Sequence, residues 1–141
     1  TRGDVALAGT FGYELDITKI PEEDRAQIPE QIARYHKYNA LVRGGDYYRI
    51  ASYRENHMYD CYEVVAKDKS EALITFVQVL NRPNYHSRRI RVYGLDPATQ
   101  YRIEGEDKLY YGDTLMNAGI LVQNMWGDFQ SKLIHIIEGG N

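Results

Sequence analysis

From Asp46 onward the chain breaks into short runs of strand-forming residues, and no helical stretch between them is long enough to carry a parallel crossover. The runs are DYYRIAS, MYDCYEVVAK, EALITFVQVL, RRIRVYGL, QYRIEG, DKLYYG and DFQSKLIHII, with turn material such as KDKS, NRPN, LDPAT and GED between them. About seven strands at this spacing predict a mainly β fold, an antiparallel β-sandwich of Greek-key type. Thirteen tyrosines against three phenylalanines fit such a fold, because a tyrosine ring packs on a half-buried sheet face while its hydroxyl stays wet.

The texture upstream is different. TRGDVALAGTFGYELDIT reads as a short strand followed by a loop punctuated with glycines, with Val5, Leu7, Phe11 and Leu15 as its buried candidates. From Pro21 the pattern becomes helical. Pro21 suits a first helical position, Glu22, Glu23 and Asp24 favour the positive end of the helix dipole, and Gly44 and Gly45 supply the stop. Ile28, Ile32, Tyr35, Asn39 and Val42 advance by four, three, four and three, which draws one stripe down a helix face. Pro29 interrupts the pattern, so the long helix is expected either to kink or to divide in two with Pro29 opening the second part. The expected organisation is an N-terminal strand remnant over 1–18, connecting helix over 19–45 and the sandwich over 46–141.

The chain has 141 residues, enough for one core, and a formal charge of −3. That charge argues against nucleic acid as a partner, since phosphate binding needs a basic face. SRRIRVY is the only basic run; in a strand Arg89 and Arg91 share one face while Ile90 and Val92 share the other, which reads as a solvated face. Cys61 is the single cysteine, so no intrachain disulfide forms, and a reducing, cytoplasmic location is expected. Neither a secretory signal nor a run near the roughly 18 apolar residues of a membrane span is visible, so no membrane partner is expected.

Candidate chemistry is sparse. Hydrolysis of a glycosidic bond usually needs two carboxylates at a set separation. Glu14 and Asp16 sit two apart, and Glu104, Glu106 and Asp107 crowd an apparent solvated hairpin; neither group reads as a dyad. Of His36, His57, His86 and His135, only His57 has a cysteine close by, Cys61, and no second pair with ligand spacing exists, so no metal and no cofactor is expected. His135 alternates with Ile134 and Ile136 and reads as a hydrogen-bonded face histidine. Arg2-Gly3-Asp4 matches an adhesion tripeptide of low information content. Trp126, together with Tyr47, Tyr48, Tyr110 and Tyr111, offers a sugar-stacking platform, for which Trp126 and Tyr111 are the named candidates. Against it, adjacent tyrosines in a strand point to opposite faces.

GTFGYELDITKIPEEDRAQIPEQIARYHKY, GDYYRI, VVAKDKSEALITFVQVLNRPN, RIRVYGLDPATQYRI, YYGDTLMNAGI and GDFQSKLIHI together, in order, resemble the C-terminal end of bacterial α-galactosidases of glycoside hydrolase family 36. FGYELD, DKSEAL, GD-x-LMNAG and GDFQS carry the likeness most specifically. The resemblance implies a parent with an N-terminal sandwich, a central (β/α)8 barrel and a smaller C-terminal sandwich. Residues 1–18 would be the end of the barrel, the helix after Pro21 would lead out of it, and the sandwich would begin near Asp46. Pro29 departs from the uninterrupted charged helix usual in the family. The implied reaction is retaining hydrolysis of terminal α-linked galactose, with an aspartate nucleophile in a Lys-Trp-Asp motif and a second aspartate as acid/base. Both would lie upstream of Thr1. Asp128 in Met125-Trp126-Gly127-Asp128 lacks the preceding lysine, so no catalytic residue is expected in this chain. The expected partners are the catalytic barrel and, for the parent enzyme, galactosides; assembly of copies is left open. Cut from a barrel, residues 1–18 would be disordered, folded back on the sandwich or paired with another copy.

Overall fold

The computed structural model describes residues 1–85 and 87–140. In chain order the elements are α1 (Arg2–Ala6), α2 (Glu22–Arg25), α3 (Ile28–Gly44), β1 (Asp46–Ala51), α4 (Tyr53–Asn56), β2 (Tyr59–Val65), β3 (Glu71–Gln78), β4 (Ser87–Ile90), β5 (Gln100–Ile103), β6 (Leu109–Tyr111), α5 (Gly112–Asn117), β7 (Ile120–Gln123) and β8 (Gln130–Glu138). The strands form an antiparallel sheet of order β1-β2-β3-β8-β5-β6, and a second sheet made of β4 and β7.

Side-chain alternation builds the layers. Cys61 and Val65 of β2, Ala72, Ile74 and Phe76 of β3, and Ile134 and Ile136 of β8 point to one face of the large sheet. There they meet Ile90, Val92, Leu95, Leu115, Ile120 and Val122 from the small sheet and its connections. Val64 and Leu73 point the opposite way, onto Tyr38 and Leu41 of α3 and onto Leu7. β3 is therefore covered on both sides, which explains why its run from Ala72 to Phe76 is buried without interruption. As expected, Ile90 and Val92 face inward while Arg89 and Arg91 face out.

Turn chemistry fixes the register where β2 returns as β3. The Asp68 carboxylate accepts from the Ser70 backbone N–H at 3.0 Å and from its hydroxyl at 2.6 Å, while Lys69 adopts a φ of 64°.

Three expectations need correction. Residues 1–18 contain no strand; α1 replaces it, folded back so that Leu7 enters the core beneath α3. A strand needs a neighbour for its backbone groups, whereas a short helix satisfies them locally, as in the bond from the Val5 N–H to the Thr1 carbonyl at 3.0 Å. Val5 and Leu15 stay exposed. The Ile28-Ile32-Tyr35-Asn39-Val42 stripe is not buried as one face: Tyr35 and Val42 pack at the margin of the core that Tyr38 and Leu41 enter, while Ile32 is exposed. Tyr35 also stacks on Phe11 of the N-terminal segment, with centroids 5.4 Å apart. Finally, β7 was hidden in NAGILVQN, a run too short to stand out from its helical and polar neighbours. Pro29 itself resolves as a division into two helices: it lies in the first turn of α3, where its missing N–H has no helical partner to lose.

Candidate functional site

The most heavily bonded polar cluster lies where α3 crosses the large sheet. Lys37 Nζ donates to both Glu104 oxygens, at 2.6 and 2.8 Å, and the Tyr38 hydroxyl donates to Oε2 at 3.3 Å. His135 of β8 places Nδ1 2.9 Å from the same Glu104 oxygen and Nε2 2.9 Å from Glu71 Oε2. Lys37 first, and then His135, holds the Glu104 carboxyl down at about 2. Toward the other end of the joint, Asp4 accepts from Arg34 at 2.8 Å and from the Ser131 hydroxyl at 2.7 Å. These bonds frame the apolar contact of Leu7, Tyr38 and Leu41 with Val64 and Leu73. The joint is an attachment and presents no reacting pair of carboxylates.

The exposed aromatics form a separate feature. Between β7 and β8, Trp126 is 60% and Phe129 68% exposed. The Gln78 side-chain amide holds that loop by donating to the Met125 and Gly127 carbonyls at 3.2 and 2.7 Å, and Asp128 accepts from the Asn81 N–H at 2.7 Å. Asp128 thus staples a loop. Tyr111 is also exposed, but it pairs with Gln100 beside the far end of β8, whereas Trp126 precedes its start. At about 3.3 Å per residue the two ends of β8 lie on the order of 25 Å apart, so Trp126 and Tyr111 form no common platform.

Other sequence candidates are spread through the fold. Asp4 of the Arg2-Gly3-Asp4 tripeptide is occupied by Arg34 and Ser131. Asp16 accepts from the Thr18 N–H at 3.1 Å and hydroxyl at 2.6 Å, bonds that lower its carboxyl, while Glu14 is exposed beside it. Cys61 is buried in the sandwich, where burial pushes its thiol up; His57 is exposed at the end of α4 with a φ of 56°. Glu106 accepts from the Tyr110 hydroxyl at 3.0 Å. His86 lies outside the described residues. Among the described residues no group of His, Cys, Asp and Glu could hold a metal ion, and no helix is long and apolar enough to cross a membrane.

A cleft of about 600 Å³ opens between the N-terminal segment and the helices, lined by Phe11, Tyr13, Leu15, Ile20, Ile28 and Gln31 among others. Glu63 was missed by sequence reasoning. It is fully buried, its Oε1 accepts from the Tyr93 N–H, Oε2 has no partner among the described residues, and desolvation raises its carboxyl to about 8. The period of two through Cys61, Glu63 and Val65 is the signal that places it inside.

The fold is a two-sheet antiparallel β domain fastened to a helical segment by a shared core and a polar network. The pattern of the Glycosyl hydrolase family 36 C-terminal domain matches residues 59–136, and that of Melibiase matches residues 1–45. The chain belongs to the glycosyl hydrolase family 36 C-terminal domain family. Alpha-galactosidase AgaA of Geobacillus stearothermophilus is 40% identical over 133 residues, which are 94% of this chain and 18% of AgaA. The structure of the alpha-galactosidase from Lactobacillus brevis superposes with a TM-score of 0.93 at 36% identity, covering 100% of this chain and 20% of that one. A variant of AgaA in complex with raffinose gives 0.91 at 37% identity, covering 98% of this chain and 19% of that one. The chain therefore spans about a fifth of the length of these relatives.

Proposed function

We propose that this chain is the non-catalytic C-terminal part of an α-galactosidase whose reacting aspartates lie upstream. Residues 1–18 are then the end of the catalytic barrel, 19–45 the helical connection, and 46–141 a sandwich that braces the barrel. One observation carries this reading. The Melibiase match ends at residue 45, yet Leu7, Tyr38 and Leu41 from that segment share a core with Val64 and Leu73. Burial of that kind is worth about 1.5–3 kcal/mol for each large apolar side chain, enough to hold a barrel end rigidly on the sandwich. Leu15, Ile17 and Ile32 are exposed apolar side chains of that segment, available for contact with the rest of the barrel. The substrate class of the whole enzyme is terminal α-linked galactose, as in the raffinose bound to the AgaA variant. A cytoplasmic location and assembly of copies belong to the same proposal.

The purified chain is expected to give no turnover of an aryl α-galactoside and no heat on titration with galactose or raffinose. Turnover that co-purifies with the chain would overturn the accessory role. Saturable sugar binding that quenches Trp126 fluorescence would replace it with a carbohydrate-binding module.

A further inference from the structure

In steps of two along β8, the residues on the α3 side of the large sheet meet the N-terminal segment one after another. His135 stands against Tyr38 edge to face with centroids 5.1 Å apart, Leu133 packs on the core of Leu7, Tyr38 and Leu41, and the Ser131 hydroxyl donates to Asp4 at 2.7 Å. The next step back is Phe129, just ahead of β8, and there the Thr1 hydroxyl donates to the Phe129 carbonyl at 2.5 Å. The row of contacts therefore runs on to Thr1 itself.

Phe129 is pinned through its backbone and yet leaves its ring in the open. Its N–H donates to the Val79 carbonyl at 3.3 Å, the neighbouring Asp128 carboxylate accepts from the Asn81 N–H at 2.7 Å, and the Gln78 amide grips the Met125 and Gly127 carbonyls. Its φ is 54°, a left-handed backbone that a bulky residue adopts only at a cost in strain and that asparagine takes more readily. The ring is nonetheless 68% exposed, and Trp126 in the same loop is exposed too. A strained aromatic held out from a stapled loop is half of a contact.

We propose that the loop between β7 and β8, through the Phe129 ring, is a surface by which the sandwich docks directly on the part of the α-galactosidase that precedes Thr1. It rests on the reading of this chain as the C-terminal part of such an enzyme. Under that reading the occupant is an apolar patch of the catalytic barrel. Thr1 opens the segment matched by Melibiase, and the match to AgaA covers only 18% of that enzyme. Successive Cα atoms are about 3.8 Å apart, so the chain ahead of Thr1 starts beside the Phe129 carbonyl. The core of Leu7, Tyr38 and Leu41 fastens the sandwich only to residues 1–45. Phe129 adds a second seat, which fixes the sandwich against turning about the α3 joint.

Hydroxyl-radical footprinting, read residue by residue by mass spectrometry, compares the 141-residue chain with the full-length enzyme that carries it. Phe129 is expected to oxidise as an open side chain in the first and about tenfold more slowly in the second, because the core of an interface excludes solvent. Phe129→Asn, which suits the left-handed backbone, should leave the thermal midpoint of the 141-residue chain unchanged or raised, and should shorten the half-life of the heated full-length enzyme about threefold. Equal oxidation of Phe129 in the two proteins, or a midpoint that falls in the 141-residue variant, overturns the docking surface. Protection that develops in the 141-residue chain as its concentration rises assigns the ring to a second copy and overturns it as well. Turnover of an aryl α-galactoside by the full-length protein is measured separately. Its absence removes the galactosidase reading and the docking surface with it, whereas turnover with an unprotected Phe129 removes the docking surface alone. If Phe129→Asn fails to fold, the footprints of the unsubstituted proteins decide the matter.

Discussion

The Tyr101 hydroxyl lies 3.0 Å from the Lys69 carbonyl oxygen, to which it donates, and accepts from the Asp96 N–H at the same distance. Tyr101 is fully buried, so one phenol joins the β2–β3 turn to the segment that leads into β5. Tyr101→Phe keeps the ring and strands both backbone groups. We expect a loss of about 1 to 3 kcal/mol, measured by urea denaturation; an unchanged midpoint would show that the two groups find other partners.

Glu63 makes stability depend on pH in an unusual direction. In the unfolded chain its carboxyl ionises near the ordinary 4.5, and in the folded chain near 8. Between those values the folded state holds a proton that the unfolded state has released, so stability declines as pH rises from about 4.5 to about 8 and levels off beyond. The decline attributable to this group is on the order of 5 kcal/mol. Glu63→Gln keeps an acceptor for the Tyr93 N–H and should flatten the slope, as read from denaturation midpoints at pH 5 and 8.

Glu104 acts at the opposite end of the scale. Its carboxyl lies below the ordinary range, so its contribution is complete above about 4.5 and is lost as pH falls toward about 2. Lys37→Met removes the leading cause. Carboxyl ¹³C titration should then place Glu104 closer to 4.5, while the stability change stays within about 1 kcal/mol because both side chains are half exposed.

Gly119 connects α5 to β7 with a φ of 78°, and a Cβ there would overlap the Ile90 carbonyl oxygen of the paired strand. Gly119→Ala meets both backbone strain and a collision, for an expected cost of about 2 to 4 kcal/mol. Gly105, with a φ of 90° but open space around it, should show the strain alone when changed to Ala. Thermal melts of the two variants separate the contributions.

The strands around Cys61 to Val65 and Ala72 to Phe76 were legible because β-branched and aromatic content and bounding turn residues are local properties. The KDKS turn was legible as a turn, whereas the left-handed Lys69 and the Asp68 bonds to Ser70 came only from the structure. Glu104 was not legible: its partners Lys37 and His135 lie 67 and 31 residues away, so nothing near it distinguishes it from the solvated Glu106. The contact face of α3 failed for a related reason. Two rows along that helix carry plausible apolar spacing, and only the position of the sheet chooses Tyr38 and Leu41 over Ile32. Trp126 and Tyr111 look alike in sequence as exposed aromatics, but strand direction sets them at opposite ends of β8.

The core that Leu7, Tyr38 and Leu41 share with Val64 and Leu73 bears on how chimeras should be made. A cut at residue 45 falls in the one-residue connection between α3 and β1, yet it divides packed side chains on either side of it. A sandwich grafted onto a foreign barrel at that point would meet an α3 shaped for a different sheet. Exchange of these domains between relatives should move the exit helix together with the sandwich, as one inheritable unit.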